Sequence, residues 1–214
     1  MGIRTSLAAP LLAAAVLAGC QASARFDGTP LDRYLCEAAD LPFDFMEQTR
    51  GDFTAADLGG LSREPEARKA EYRAAGMEGG RFVFWKQSLP RPPFEAPVNV
   101  VCQALSFESA AQAEAWVAGI TAEPAAIRDS GLLWAPLDGS RAEELPSPAG
   151  RLFRLEAAEG DARVTLYALH EARGNVVLSV FVGDRDGRTE AATALAIAAS
   201  RDARLGESAT SGSR

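Results

Sequence analysis

The sequence predicts an α+β fold, a two-layer sandwich in which a mainly antiparallel sheet of about five strands carries helices on one face. Five segments are rich in β-branched and aromatic residues, which is typical of strands. The last three of them follow one another across short turns, as in an antiparallel meander. Helical patterns stand before, between and after these strands, and we expect them to pack together on the sheet.

The predicted single domain spans residues 31–205 and begins with helical segments. Residues 31–47 are expected to form one short helix and one extended piece. Residues 63–76 are expected to form a helix, because Pro65 suits a first helical turn and Gly76 suits a helix end.

Two strands and a second helix follow in the middle of the chain. Residues 81–87 and 98–107 have strand patterns, and the second is apolar on both faces, as expected of a central strand. Residues 110–120 repeat apolar side chains at helical spacing. Residues 121–150 are rich in Pro, Gly, Asp and Ser and predict a long connection with little regular structure.

The last third of the chain has the clearest pattern. Strands are predicted over residues 151–157, 163–170 and 176–182, with a turn after each of the first two. A helix is predicted over 189–201, and residues 206–214 are expected to be a disordered polar tail.

The final two strands predict a core face and an opposite face. The core face takes seven positions: Val164, Leu166, Ala168, Val176, Leu178, Val180 and Val182. The opposite face mixes apolar and hydroxyl groups: Thr165, Tyr167, Val177, Ser179 and Phe181. Such a face is solvated, covered by the 121–150 connection, or used for binding.

A short apolar segment near the N-terminus ends in two small residues and a cysteine. Residues 7–17 are apolar apart from Pro10, and Arg4 precedes them. This segment has the length of a signal-peptide core and is too short to span a bilayer, which takes about 20 apolar residues. The motif Leu17-Ala18-Gly19-Cys20 that follows resembles the lipobox of bacterial lipoproteins.

This resemblance implies that residues 1–19 are a cleaved signal peptide and that Cys20 carries the acyl chains that hold the protein at a membrane. Residues 20–30 would then be a lipidated tether. Gln21, not Asp, follows the cysteine. In double-membraned bacteria the resemblance then implies sorting to the outer membrane, and in single-membraned bacteria it implies the outer face of the plasma membrane. The alternative is an ordinary secretory peptide cut within 22–24, which would leave a soluble protein.

The charge balance argues against nucleic acid as a partner. The chain has 22 basic and 29 acidic residues, a formal net charge of −7. Nucleic acid and anionic lipid both need clustered Lys and Arg. The expected partners are therefore the membrane, through the acyl chains, and an envelope protein or a small ligand.

The remaining two cysteines predict a disulfide between Cys36 and Cys102, because extracytoplasmic compartments are oxidising. The alternative is two buried free thiols.

His170 is the sole histidine, and no nucleophile motif accompanies it. The sequence therefore predicts no catalytic residues, no metal site and no cofactor.

Four side chains are candidate ligand contacts on the expected open sheet face and its loops: Trp85, Gln103, Tyr167 and Phe181. Trp85 precedes a proline-rich loop that could shape the mouth of a binding site.

The final strands, the turn before Val176 and the closing Ala-rich helix resemble uncharacterised lipoproteins and sensor-like extracytoplasmic domains of high-GC bacteria. This resemblance implies a lipid-anchored binding or sensor-like protein of the cell envelope that is not an enzyme. Two alternatives stay open. One is an envelope hydrolase that uses a pair of carboxylates, and the other is a structural accessory subunit of an envelope complex.

Overall fold

An antiparallel sheet, with seven strands in the part of the chain that the structure describes, lies at the centre of the protein. The computed structural model describes residues 30–42, 45–62, 64–87, 98–131, 140–159, 162–185 and 189–211. The strands are β1 (Phe45–Thr54), β2 (Met77–Gln87), β3 (Asn99–Phe107), β4 (Arg141–Leu145), β5 (Arg151–Glu159), β6 (Ala162–Arg173) and β7 (Val176–Asp184). Their order across the sheet is β1-β2-β3-β7-β6-β5-β4.

The sheet has two more strands than the sequence predicted, and both are edge strands. The exposed side chains of β1 include Glu47, Gln48 and Arg50, so its sequence lacks the apolar alternation of a half-buried strand. The short β4 lies in the 121–150 segment that was expected to be irregular, as does one of the helices. Polar and charged residues protect such edges from pairing with other chains.

Helices cover both faces of the sheet, so the predicted two-layer arrangement is wrong and the fold has three layers. The α-helices in the described ranges are α1 (Ala55–Gly60), α2 (Pro65–Ala74), α3 (Ala110–Gly119), α4 (Pro124–Asp129) and α5 (Ala191–Ser211). A 3₁₀ helix (Leu31–Tyr34) and α5 share a core with Leu178, and a second 3₁₀ helix (Ala38–Asp40) contacts α5. The helices α1 and α3 share a second core with Val177. Since adjacent strand residues point to opposite faces, these two cores lie on opposite sides of the sheet.

The alignment of β6 with β7 differs from the predicted grouping of faces. Tyr167 lies opposite Val182, and Ala168 lies opposite Phe181. Tyr167 therefore faces the α5 layer with Val182, whereas Phe181 shares the other face with Ala168. The prediction that Tyr167 and Phe181 share an open face is wrong, because both faces are covered and the two residues lie on different ones.

The predicted disulfide between Cys36 and Cys102 is present, with Cα atoms 5.7 Å apart. It ties the N-terminal segment, residues 31–41, to the central strand β3. From α5, Arg204 donates to the carboxylate of Asp40 at 2.9 Å, and this bond attaches the same segment to α5. The first segment of the domain is thus fixed to two different elements, β3 and α5.

The C-terminal helix α5 continues to Ser211, so residues 206–211 are helical and do not belong to the predicted disordered tail. The predicted signal peptide, Cys20 and most of the tether lie outside the described residues. Among the residues that the structure describes, no helix is long and apolar enough to cross a membrane.

Candidate functional site

A cavity of about 480 Å³ opens between α2, α3 and α4. Its apolar wall consists of four alanines, one isoleucine and one large ring: Ala74, Ala75, Ala115, Ala126, Ile120 and Trp116. Its polar wall consists of Arg68, Glu71, Gln112, Asp129 and Ser130. Four alanines on three facing helices leave the space that larger side chains would fill.

Local sequence signals explain why these helices begin and end where they do. The helices α2 and α4 each begin at a proline, Pro65 and Pro124, where the missing N–H costs no helical hydrogen bond. The helix α3 begins after Ser109, whose hydroxyl accepts a hydrogen bond from the backbone N–H of Gln112. These signals set where each of the three helices begins.

The buried hydroxyl of Tyr72 connects α2 to the end of α4. It donates a hydrogen bond to the backbone carbonyl of Asp129 at 2.6 Å. Burial raises the pKa of the Tyr72 hydroxyl above its ordinary value, so the group remains a donor at physiological pH. This bond fixes the distance between two walls of the cavity.

An ion-pair cluster forms the polar wall. The carboxylate of Asp129 is nearly buried and lies 2.8 Å from Arg68 and 2.5 Å from Arg128. Arg68 also lies 2.7 Å from the half-exposed carboxylate of Glu71. Two guanidinium groups thus face two carboxylates, and their formal charges cancel.

The ring of His170 lies between two serine hydroxyls beneath α4. Its Nε2 lies 3.2 Å from Oγ of Ser130, and its Nδ1 lies 2.9 Å from Oγ of Ser179. Burial, and to a smaller extent the charge of Arg151, lowers the pKa of His170 to about 3. The ring is therefore neutral, with one nitrogen that donates and one that accepts.

The arrangement around Ser130 is that of a structural network. Its hydroxyl donates to the backbone carbonyl of Ile127 at 2.6 Å, so the His170 contact is made with Nε2 as donor and Ser130 as acceptor. The hydroxyl of Ser179 then donates to Nδ1. A serine whose proton points to a carbonyl is not activated for attack by this histidine.

The walls of the cavity are fixed further by Arg151 of β5. Its Nη1 donates to three carbonyls at the end of α3, those of Val117, Ala118 and Ile120, at 3.0, 2.8 and 2.6 Å. Its other guanidinium nitrogens bind Glu144 of β4. A single side chain thereby joins α3 to the edge of the sheet.

The four predicted contact residues do not come together. All are buried: Trp85 and Tyr167 belong to the core beneath α5, whereas Gln103 and Phe181 lie on the opposite face of the sheet. Gln103 alone among them approaches the cavity, since its amide donates to the Ser130 carbonyl at 3.4 Å. The other three are packing residues in this structure.

None of the residues that line the cavity is among the four candidate contacts predicted from the sequence. One local signal was available at the end of α4, where Asp129 and Ser130 precede Gly131. A Cβ atom at Gly131 would lie 2.2 Å from the side-chain nitrogen of Gln103, so the glycine permits a close approach to β3.

In the described ranges, no group of three or more His, Cys, Asp or Glu side chains is placed to hold a metal ion.

Comparison with solved structures finds a likeness in fold. No family model and no curated protein matches this sequence. The structure is similar to the crystal structure of the extracellular domain of PknH from Mycobacterium tuberculosis, with a TM-score of 0.55 and 11% identity. The likeness covers 84% of this chain and 97% of that chain. At this identity it shows the fold alone, and that fold is one used by a bacterial extracellular domain.

Proposed function

We propose that this protein is a lipid-anchored, sensor-like binding protein of the cell envelope, without enzymatic activity, and that its ligand occupies the cavity between α2, α3 and α4. The observation that carries the proposal is the cavity itself. Its volume of about 480 Å³ is in the range of small-molecule sites. Its walls are fixed by the bonds of Tyr72, Arg151 and Ser130, as a pre-formed site requires.

Ligand retention tests this proposal. The protein is purified from its own envelope and analysed by native mass spectrometry, as the wild type and as two tryptophan variants of α3. Ala115→Trp fills the cavity, whereas Ala118→Trp places the same side chain at an exposed position that does not line it. We expect a bound mass in the wild type and in Ala118→Trp and its loss in Ala115→Trp. Equal occupancy in both variants would place the ligand elsewhere.

The envelope location rests on the lipobox resemblance and is supported by the likeness to an extracellular domain. Metabolic labelling with radioactive palmitate tests it, with Cys20→Ala compared with Gln21→Ala as the matched control. We expect label and membrane association in the wild type and in Gln21→Ala, and neither in Cys20→Ala. Membrane association of Cys20→Ala would contradict the lipid anchor.

The enzyme alternative has one observation in its favour, since Glu71 and Asp129 line the same cavity. Both carboxylates, however, are bound to Arg68, and Asp129 is bound to Arg128 as well. A carboxylate held in this way is poorly placed to donate a proton or to attack a substrate. This pairing favours binding over catalysis. Turnover of envelope glycans that is lost in both Glu71→Gln and Asp129→Asn would reverse this preference.

A further inference from the structure

The charged groups on the cavity wall already neutralise one another. Arg68 lies between Glu71 and Asp129, at 2.7 and 2.8 Å, and Arg128 binds Asp129 from the other side. A charged ligand would find no unpaired counter-charge in this cluster. It would have to break an existing ion pair or leave its own charge uncompensated in a partly buried site, and both are costly.

Two uncharged polar side chains of the wall, Gln112 and Ser130, are engaged as well, which leaves the buried indole N–H of Trp116, without a partner in the part of the chain that the structure describes, as a single free donor. The side-chain nitrogen of Gln112 donates to Glu108 at 3.1 Å, and its oxygen accepts from Ser109 at 2.7 Å. The hydroxyl of Ser130 is shared between Ile127 and His170. These side chains are therefore poorly available to a ligand that depends on several hydrogen bonds.

The remaining wall is apolar and shaped by one aromatic ring. Trp116 packs edge-on against Tyr72, with ring centroids 5.4 Å apart, which holds its ring in place beside the cavity. Ala74, Ala115 and Ile120 complete a surface whose contacts are dispersive and hydrophobic. Flat or aliphatic apolar groups fit such a surface.

We infer that the ligand of this cavity is an uncharged, mainly apolar small molecule that packs against Trp116 and the alanine-lined helices. This inference rests on the proposed function and specifies its ligand class. The affinity comes from burial of apolar surface, and discrimination against ions comes from the internal neutralisation of Arg68 and Asp129.

The test uses three probes with one aromatic body and different charge: 1-naphthalenemethanol, 1-naphthoate and 1-naphthylmethylammonium. Binding to the mature protein is followed by two-dimensional amide NMR at the backbone of 112–120, with Ala115→Trp and Ala118→Trp as the filled and unfilled variants. We expect the alcohol to bind at least about tenfold more tightly than either ion and to lose its binding in Ala115→Trp alone. An ion that binds as tightly as the alcohol overturns the inference but leaves the proposed function standing.

A second arm separates charge compensation from simple hydrophobicity, which also favours the alcohol. Glu71→Gln removes one partner of Arg68 at a half-exposed position and leaves the wall with one excess positive charge. At low ionic strength we expect the affinity for naphthoate relative to the alcohol to rise at least about threefold in this variant. An unchanged ratio overturns the inference. The proposed function fails as well if two results coincide. None of the probes perturbs the amide signals of 112–120, and the native mass spectra show equal ligand occupancy in Ala115→Trp and Ala118→Trp.

Discussion

The Oγ atom of Ser130 lies 3.2 Å from Nε2 of His170, and this contact joins the floor of the cavity to the interior of the sheet. His170 is completely buried, and its other nitrogen is bonded to Ser179 of β7. The end of α4 is therefore held to two central strands by a neutral imidazole ring. Protonation would place a charge in this fully buried site, which burial disfavours.

Acid should destabilise the protein through His170. Its pKa is about 3 in the folded state against 6.5 for an ordinary histidine, so the unfolded chain takes up the proton first as the pH falls below 6.5. The stability that the neutral ring contributes is complete above pH 6.5 and is lost progressively down to about pH 3. Between pH 7 and 4.5 we expect a loss of about 2–3 kcal/mol from this group alone.

Urea unfolding of the wild type and of His170→Gln at both pH values measures this loss. Other titrating groups are common to the two proteins and cancel in the comparison. The variant should be less stable at pH 7 but should lose less stability on acidification. Parallel pH profiles would show that the ring is not neutral and buried as described.

Asp129 should contribute more to stability than Glu71, although both bind Arg68. Asp129→Asn leaves Arg68 and Arg128 without their shared buried partner, and we expect a loss of about 2–4 kcal/mol. Glu71→Gln removes a half-exposed partner and should cost less than about 1 kcal/mol. Chemical denaturation of both variants measures the difference, and equal losses would contradict the buried cluster.

The disulfide should stabilise the fold by closing a long loop. Cys36 and Cys102 are 66 residues apart, and the chain-entropy estimate for such a loop is about 4 kcal/mol. We expect the Cys36→Ser, Cys102→Ser double variant to lose about this much in urea unfolding. All forms are expressed without residues 1–19, so that none is acylated, and Cys20→Ser, which changes a cysteine outside the described residues, is the control and should unfold like the wild type. Equal stability of all three proteins would rule out the bridge in solution.

Arg151 should act as the cap of α3. Arg151→Met keeps the aliphatic stem but removes the bonds to three helix-end carbonyls, and we expect a loss of about 2 kcal/mol. Arg154→Met, on the same strand, removes exposed ion pairs to Glu143 and Glu156 and should cost less than about 1 kcal/mol. Faster amide hydrogen exchange at 117–120 in the first variant alone would confirm the role, and matching exchange in both would contradict it.

The central strands could be predicted from the sequence because their residues are apolar on both faces. β3 and β7 are almost wholly buried between helical layers, which produces continuous apolar runs. The edge strands β1 and β4 carry charged side chains toward solvent and leave no such pattern. Edge strands are thus recognisable only from their pairing with a neighbour.

The faces of β6 and β7 were misassigned because of turn geometry. A two-residue turn at Gly174 and Asn175 places Arg173 directly opposite Val176. Odd-numbered residues of β6 therefore share a face with even-numbered residues of β7, and Tyr167 joins the α5 core. A shift of one residue in this alignment moves every side chain to the other face.

The cavity could not be predicted because it is a gap between helices that are distant in sequence. Arg68 and Asp129 are 61 positions apart and meet only in the folded chain, where their bond links α2 to α4. The alanines that line the gap resemble ordinary helix-forming residues, and Trp116 resembles a core residue. Of the predicted contacts, Gln103 alone approaches the site, because its amide donates to the carbonyl of Ser130 directly after α4.

The ligand and its position can be seen in a crystal structure of the mature protein purified from its own envelope. We expect electron density for a small molecule between α2, α3 and α4, in contact with Trp116, with the ion pair between Arg68 and Asp129 intact. Density for a ligand at any other place, or a charged ligand that has displaced Asp129 from Arg68, would contradict this expectation.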